Sequence, residues 1–303
     1  MQIPTFDRII VLAFALLVDL IFGEYPSLIH PVVYMGFVGK FFDKKFNQRS
    51  KSKVMKFALG SLAEIIEIFS WLLVTLFIYR LIKFNWILKC LFEVFLLKAM
   101  FSIRGLYEHV NKCCTEDENE LRHAVSMIVS RDTSSLDKAH LYSAAIESLS
   151  ENTSDSITGP LLYYVLFGLP GAMIYRIVNT YDALFGYRNE RYEWFGKFPA
   201  RFDDVLNLLP ARLTAIVISF FDFSKSWEYI KKYGRIKINA TYPMSAFAGV
   251  LNVGFEKIGY YKFGGKLPDV KDVKRALSLY IKAVSFMIIL LFSLLLIVIL
   301  LLN

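Results

Sequence analysis

The sequence predicts an all-α fold: a polytopic integral membrane helical bundle with broken or re-entrant helices around a polar site. Three observations predict it. The 303 residues are 55% hydrophobic, with mean hydropathy +0.45, above the roughly 45–50% apolar share of soluble domains. Apolar residues gather in helix-length runs, and basic residues cluster in short runs beside them, the pattern of cytoplasmic loops. A single polar stretch, Glu147 to Arg212, is set among these runs. Lipid makes unpaired polar groups costly, so such a stretch marks a candidate site.

The first span is Ile9–Phe22. At 1.5 Å per residue it reaches only about 21 Å, so it borrows flanking residues or tilts. It lacks the basic n-region and small-residue cleavage site of a signal peptide and is expected to remain as an anchor. Asp19 near its end reads equally as a charge reaching the interface or as a site residue. Gly23-Glu24-x-Pro26 closes the span, and His30-Pro31-Val32 and Gly36 follow as a loop. Lys40, Lys44, Lys45, Arg49, Lys51, Lys53 and Lys56 then face one acid, Asp43, which puts this loop in the cytoplasm and the N-terminus outside. Residues 57–79 cross outward, with Glu64 and Glu67 turned to the bundle or the interface. Residues 84–103 return, although Lys89, Glu93 and Lys98 weaken that span.

Residues 104–156 read as a helical insert of cytoplasmic type. Within it Arg131-Asp132-Thr133 is a helix stop, Ser134 and Ser135 offer the next N-cap, and Ala139–Glu151 is a helix. Residues 157–178 are broken by Gly159-Pro160 and by Gly168-Leu169-Pro170-Gly171, and residues 205–223 by Pro210. Proline removes a backbone donor, so both segments are expected to be broken crossings or re-entrant, as buried protein surroundings permit. Residues 279–302 form the last span. Its charge-free run from Ala283 to Leu302 is about 30 Å of helix, and Lys271, Lys274 and Arg275 hold its start inside. The chain reads as a single integral membrane domain over 1–303.

Within the polar stretch, Glu147, Glu151 and Asp155 stand at i, i+4 and i+8, one acidic ridge for as far as a helix continues. Like charges at that spacing cost about 0.2–0.5 kcal/mol per pair, so the ridge asks for a positive neighbour, arginine or Mg²⁺. Magnesium commonly takes one or two carboxylates and completes its shell with water and substrate phosphate. Asn152 lies on the neighbouring face. The plain alternative is a solvated helix face, with Asp155 capping the next segment. Asp203, Asp204 and Asn207 form a second oxygen cluster, and Asn179 with Asp182 a third pair. Arg188, Asn189, Arg191, Arg201 and Arg212 supply donors suited to phosphate or carboxylate, or to internal pairing with aspartate. Together these residues favour Mg²⁺–phosphate chemistry on a helical scaffold. If all of them serve one site using a cytosolic nucleotide, they share one side of the membrane.

Other chemistries find little support. The net charge of +8 lies in loops beside apolar runs, so no nucleic-acid partner is expected. Cys113 and Cys114 are adjacent, a poor arrangement for a shared metal or ordinary disulfide, and the four histidines lack zinc-ligand spacing. No Walker loop or nucleophile elbow occurs.

The central block ESLSENTSDSITGPLLYYVLFGLPGAMIYRIVNTYDALFGYRNERYEWFGKFPARFDDVLNLLPARLTA resembles the CobD/CbiB family, adenosylcobinamide-phosphate synthases of cobalamin biosynthesis. So do the early Asp19…Gly23-Glu24-x-Pro26…His30-Pro31-Val32…Gly36 pattern, MIVSRDTSSL, and AFAGVLNVGFEKIGYY. Departures are Ser130 and Ser156 in place of glycine, Ala183 in place of a serine, and INATYPM (Ile238–Met244) in place of a PNAG-like run. The resemblance implies a multi-pass enzyme of the cell membrane with its site on the cytoplasmic side. It would join aminopropanol or aminopropanol O-phosphate by an amide bond to the propionate carboxyl of adenosylcobyric acid. ATP as co-substrate would activate the carboxyl, and Mg²⁺ on Glu147, Glu151 or Asp155 would neutralise phosphate charge. Asp203 or Asp204 would take the amine proton as general base. Tyr163, Tyr164, Tyr181 and Trp194 would pack the corrin or anchor the protein at the interface. Membrane lipid is a further partner, and the sequence leaves open a homo-oligomer or a complex with other cobalamin-assembly enzymes. Two rival readings are an intramembrane Mg²⁺-dependent prenyltransferase, which Asn179-x-x-Asp182 and Asp203-Asp204-x-x-Asn207 faintly suggest, and a non-enzymatic corrinoid-binding or transport protein.

Overall fold

A computed structural model describes residues 5–48 and 51–302; Arg49 of the basic loop lies outside them. The all-α class holds, since strand among the described residues is limited to one two-residue pair. The chain forms two compact units. One comprises residues 1–102, 159–206 and 292–303, the other residues 103–158 and 207–291.

The first unit contains α1 (Thr5–Phe22), α2 (Pro31–Phe46), α3 (Lys53–Leu81), α4 (Trp86–Met100), α8 (Gly159–Phe167), α9 (Leu169–Phe185) and α10 (Lys197–Leu206). Helix α9 is its hub, contacted by α2, α3, α4, α8 and α10. The His30-Pro31-Val32 segment, expected as loop, instead opens α2. His30 Nδ1 accepts from the Val32 amide at 3.2 Å, and proline suits the first helical position because its missing N–H has no intrahelical partner there.

At 29 residues α3 reaches about 43 Å, beyond the expected 57–79. Helix α4 has 15 residues, about 22 Å, and ends at Met100. It covers 86–100 of the segment expected over 84–103, fewer than the roughly 20 residues of a straight crossing. Among the described residues only α3 and α14 (Val270–Leu302) are long and apolar enough to cross a membrane, fewer than the several spans predicted.

The expected breaks are present, at shifted positions. Gly168 separates α8 from α9 with φ +72°, a conformation glycine adopts without a Cβ clash, and proline follows in the first turn of α9. The second break falls at Asn207, not Pro210. Pro210 sits in the first turn of α11 (Leu208–Ser219), where its missing donor costs nothing.

Three buried charges on the apolar helices of this unit, Asp19, Glu67 and Glu93, have partners, whereas both oxygens of the equally buried Glu64 have no hydrogen-bond partner among the described residues. Asp19, read as an interfacial or site charge, meets Lys98 at 3.0 Å, with both side chains at most 1% exposed. Glu67 accepts from Tyr181 Oη at 2.7 Å and from Trp71 Nε1 at 3.3 Å. Glu93 accepts from Tyr79 Oη and Tyr164 Oη at 2.9 and 3.2 Å. This pairing is what lets polar groups stay inside apolar surroundings.

The second unit contains α5 (Ile103–Asn111), α6 (Glu118–Ser126), α7 (Lys138–Thr153), a π-helical turn (Ser154–Thr158), α11, α12 (Phe223–Tyr233), α13 (Thr241–Leu251) and the first part of α14. Asp137, not Ser134 or Ser135, caps α7 by accepting from the His140 amide at 2.9 Å. Helix α7 is buried continuously from Leu141 to Ser150, and small residues such as Ala144, Ala145 and Ser148 let α5, α6 and α13 approach it. Helices α12 and α13 cross closely at Gly249, where an added Cβ would lie 2.6 Å from the Ser226 backbone. A hairpin of β1 (Glu256–Lys257) and β2 (Tyr261–Lys262) lies on α7, tied by the Glu256 amide donating to Ser143 Oγ at 3.1 Å.

Candidate functional site

The predicted residues divide between the two units. In the second, Glu147 sits within the buried stretch 141–150 of α7, its side chain 7% exposed. Three donors converge on its two oxygens. Ser143, one turn earlier, donates to Oε1 at 2.6 Å, Arg131 Nη2 reaches Oε1 at 3.4 Å, and Tyr261 Oη donates to Oε2 at 2.5 Å. The hairpin that carries Tyr261 also carries Lys257. Burial lowers the Lys257 pKa first, and the nearby charges of Lys237 and Arg131 lower it further, against the opposing pull of Glu151 and Glu147. Lys237 Nζ stands 5.6 Å from the Tyr261 ring centroid. Burial, then Glu147, raises the Tyr261 hydroxyl, so it stays a hydrogen-bond donor.

The result is a buried carboxylate, a second carboxylate one turn on, and a lysine, Lys257, that feels the charges of both Lys237 and Arg131. An oxyanion would relieve that repulsion while meeting donors already oriented. Arg131, Ser143, Lys237, Lys257 and Tyr261 escape the sequence reading. Arg131 reads there as a helix stop, and the other basic and aromatic residues lie over 80 positions from Glu147.

The acidic ridge is shorter than its spacing suggests. Regular helix ends at Thr153, and Asp155 falls in the π-helical turn, out of the i+8 phase. Among the described residues no group of three His, Cys, Asp or Glu side chains could hold a metal. Glu147 and Glu151, hard oxygen donors beside cations that would bind phosphate, still suit a Mg²⁺ ion that takes one or two carboxylates. Asn152 is engaged within its own helix, donating to Ser148 O at 3.0 Å and accepting from Ser156 Oγ at 3.0 Å.

Arg212 is a clamp. It donates to Asn239 Oδ1 at 2.5 Å and Ile238 O at 2.9 Å, and its guanidinium lies 4.1 Å from the Tyr242 ring centroid. It thereby holds the Ile238–Met244 segment. Asn207 is buried past the end of α10, at the N-cap of α11, so the expected i,i+4 stacking with Asp203 falls on the helix break.

In the first unit Asn179 links Arg176 to Asp203, accepting from Arg176 Nη1 and donating to Asp203 Oδ1, both at 3.3 Å. Asp182 lies on the same helix α9. Asp204 is a third exposed and 3.4 Å from Arg201. Burial raises its pKa, and Arg201 and Arg188 hold it back. Arg188 and Asn189 line a cavity of about 460 Å³ with Lys51, Lys53, Lys56 and Trp194. Asn189 also fixes the local turn, accepting from the Tyr192 amide at 2.9 Å. Arg191 is committed to the buried Asp43 at 2.5 Å. Of the arginines expected to bind phosphate, Arg188, Arg191 and Arg201 are exposed, but Arg191 is paired with Asp43 and Arg201 with Asp204, while Arg212 holds structure.

Fold and site together define a helical, apolar-surfaced protein with a buried carboxylate–cation centre suited to oxyanion chemistry. Comparison with known proteins narrows that class. The family model described as CobD/CbiB protein matches residues 12–290. The chain is 49% identical over 280 residues to a "Probable cobalamin biosynthesis protein CobD" of Pyrococcus furiosus, covering 92% of this chain and 96% of that one. It is 38% identical over 295 residues to the protein of the same name from Methanocaldococcus jannaschii, covering 92% and 94%. It is 35% identical over 274 residues to the cobalamin biosynthesis protein CobD of Dehalococcoides mccartyi, covering 85% and 87%. No solved structure matches. The chain belongs to the CobD/CbiB family.

Proposed function

We propose that this protein is an ATP-dependent, amide-forming ligase of cobalamin biosynthesis. It joins aminopropanol or aminopropanol O-phosphate to the propionate carboxyl of adenosylcobyric acid, giving adenosylcobinamide or its phosphate. Family membership supports the pathway. The observation that carries the chemistry is the Glu147 centre, where Arg131, Lys237 and Lys257 gather around two carboxylates.

Forming an amide from a carboxylate in water is uphill. The corrinoid carboxylate first attacks the γ-phosphorus of ATP, giving an acyl phosphate and ADP; the neutral amine then displaces phosphate. Negative charge accumulates on phosphoryl oxygens in both steps, and fixed cations in a partly desolvated pocket stabilise it best. Arg131 and Lys257 do this here, with Tyr261 and Ser143 keeping Glu147 oriented. Glu147 and Glu151 would hold Mg²⁺, which supplies charge neutralisation on the phosphates. Asp204, considered within the first unit alone, keeps its reading as a proton acceptor, since burial raises its pKa. The apolar lengths of α3 and α14 support a membrane location, with the basic residues between Lys40 and Lys56 on the cytoplasmic side.

The test is reconstitution with adenosylcobyric acid, aminopropanol phosphate, ATP and Mg²⁺, following ADP and the corrinoid product together. Stoichiometric ADP and adenosylcobinamide phosphate are expected. Wild-type protein that produces neither, and that leaves a strain blocked at this step uncomplemented, would overturn the proposal. Glu151→Gln and Asp204→Asn, assayed singly, test the two roles separately.

A further inference from the structure

We propose that a cleft in the first unit, between α1, α3, α4 and the α8–α9 turn, holds one anionic lipid. The cleft encloses about 940 Å³, far more than a phosphate group needs and within the range of sites that enclose a sizeable ligand. Its wall is apolar, from Leu72, Leu76, Phe167 and Leu169, while Arg80, Lys83 and Lys89 supply positive charge. Charge complementarity identifies the occupant. The acids in the lining are already engaged within the protein: Asp7 Oδ2 accepts from Trp86 Nε1 at 2.8 Å, and Glu93 accepts from Tyr79 and Tyr164. Arg80, Lys83 and Lys89 form no ion pair among the described residues.

A second observation points the same way. Arg8 also lines the cleft and is 5% exposed. Its terminal nitrogen donates to the Tyr164 and Val165 carbonyls, and its buried Nε has no hydrogen-bond partner. The surrounding helix faces expose Leu73, Phe77, Leu81, Phe84, Ile87 and Leu88, an apolar collar that would be costly against water and is at home against hydrocarbon. An apolar slot opening on such a collar and lined by cations that form no ion pair, Lys83 resting on the Phe84 ring, matches a hydrocarbon chain with a phosphate headgroup. The inference rests on the reading that α3 lies in a membrane, and is independent of the ligase chemistry.

The experiment uses full-length protein, delipidated in detergent and titrated with dioleoyl phosphatidylglycerol or dioleoyl phosphatidylcholine, with bound lipid counted by native mass spectrometry. Wild type should retain one phosphatidylglycerol with at least about tenfold preference, as expected for several cations at a headgroup. The triple variant Arg80→Gln/Lys83→Gln/Lys89→Gln should bring the two lipids within about twofold of each other. Leu76→Trp, which fills the slot and leaves the charges, should reduce retention of both lipids. Equal retention of the two lipids by wild type, an unchanged preference in the triple variant, or one-for-one displacement of the lipid by adenosylcobyric acid would overturn the proposal. Alkaline washing of membranes separates the premises. Protein that stays in the pellet without lipid preference refutes the lipid site alone, whereas protein released into the wash refutes the membrane reading beneath it.

Discussion

Glu147→Gln is the sharpest probe of the centre in the second unit, because it keeps side-chain size and changes only charge and one acceptor. In the native arrangement Ser143 and Arg131 serve Oε1 and Tyr261 serves Oε2. A glutamine has one oxygen and one NH₂. Keeping the oxygen toward Ser143 and Arg131 turns the NH₂ toward Tyr261, and the opposite flip faces it with two donors. The first orientation loses one charge-assisted bond, at about 1.5–3 kcal/mol, and the flip loses two, so the first is favoured. If Glu147 acts by orienting the cations around the phosphates, that loss corresponds to about 10- to 100-fold in kcat/KM. Tyr261→Phe removes the same bond from the other side and should cost about tenfold. The two changes should be non-additive when combined, because they break one contact. The assay is the steady-state rate of adenosylcobinamide phosphate formation by protein in vesicles, with thermal unfolding measured alongside. A fall in Tm of at most roughly 5 °C is compatible with the loss of one such bond. Both variants turning over within twofold of wild type would refute the reasoning and leave Glu147 a structural carboxylate.

Further outcomes follow from other contacts. Lys98→Met leaves Asp19 buried without its cation and should destabilise the protein by about 3–5 kcal/mol, whereas Asp19→Asn/Lys98→Met should recover most of that loss; thermal unfolding in detergent decides, and equal losses in both variants would contradict the pairing. Lys257 has a lowered pKa, so rising pH removes its proton and its positive charge earlier than for an ordinary lysine. ADP affinity, followed by calorimetry, should fall as pH rises through that lowered value, and Lys257→Arg should flatten the profile; identical profiles would exclude Lys257 from the anion site. Arg188→Gln, at an exposed charge of the first unit's basic cavity, should weaken pyrophosphate binding by about two- to fivefold, and unchanged binding would remove that cavity from consideration.

How much was legible depended on the range of the cause. The helical character of Glu147–Glu151, the break near Pro170 and the long terminal helix follow from spacing, glycine and proline, and apolar length, all properties of neighbouring residues. Boundaries were less so. The π-helical turn at Ser154–Thr158 shifts Asp155 out of phase, and no local pattern announces it. Pro210 reads as an interruption in sequence, yet in the first turn of a helix it is harmless, and only the position of the Asn207 break reveals which applies. The arginines show the same limit. Arg188, Arg191, Arg201 and Arg212 look alike as letters, but Arg191 is spent on Asp43 and Arg212 on the Ile238–Met244 segment.

By itself, then, the chain of letters determined the helical class, the apolar character of α3 and α14 and the family resemblance, and it singled out Glu147 as a candidate. These rest on composition, periodicity and motif, which act along the chain. Tertiary structure decided what surrounds Glu147. Arg131 approaches from 16 residues before it and Tyr261 from 114 after it, because the hairpin packs on a helix whose small residues allow close approach. Electrostatic neighbours are set by distance in space, and that distance exists only once the helices have packed.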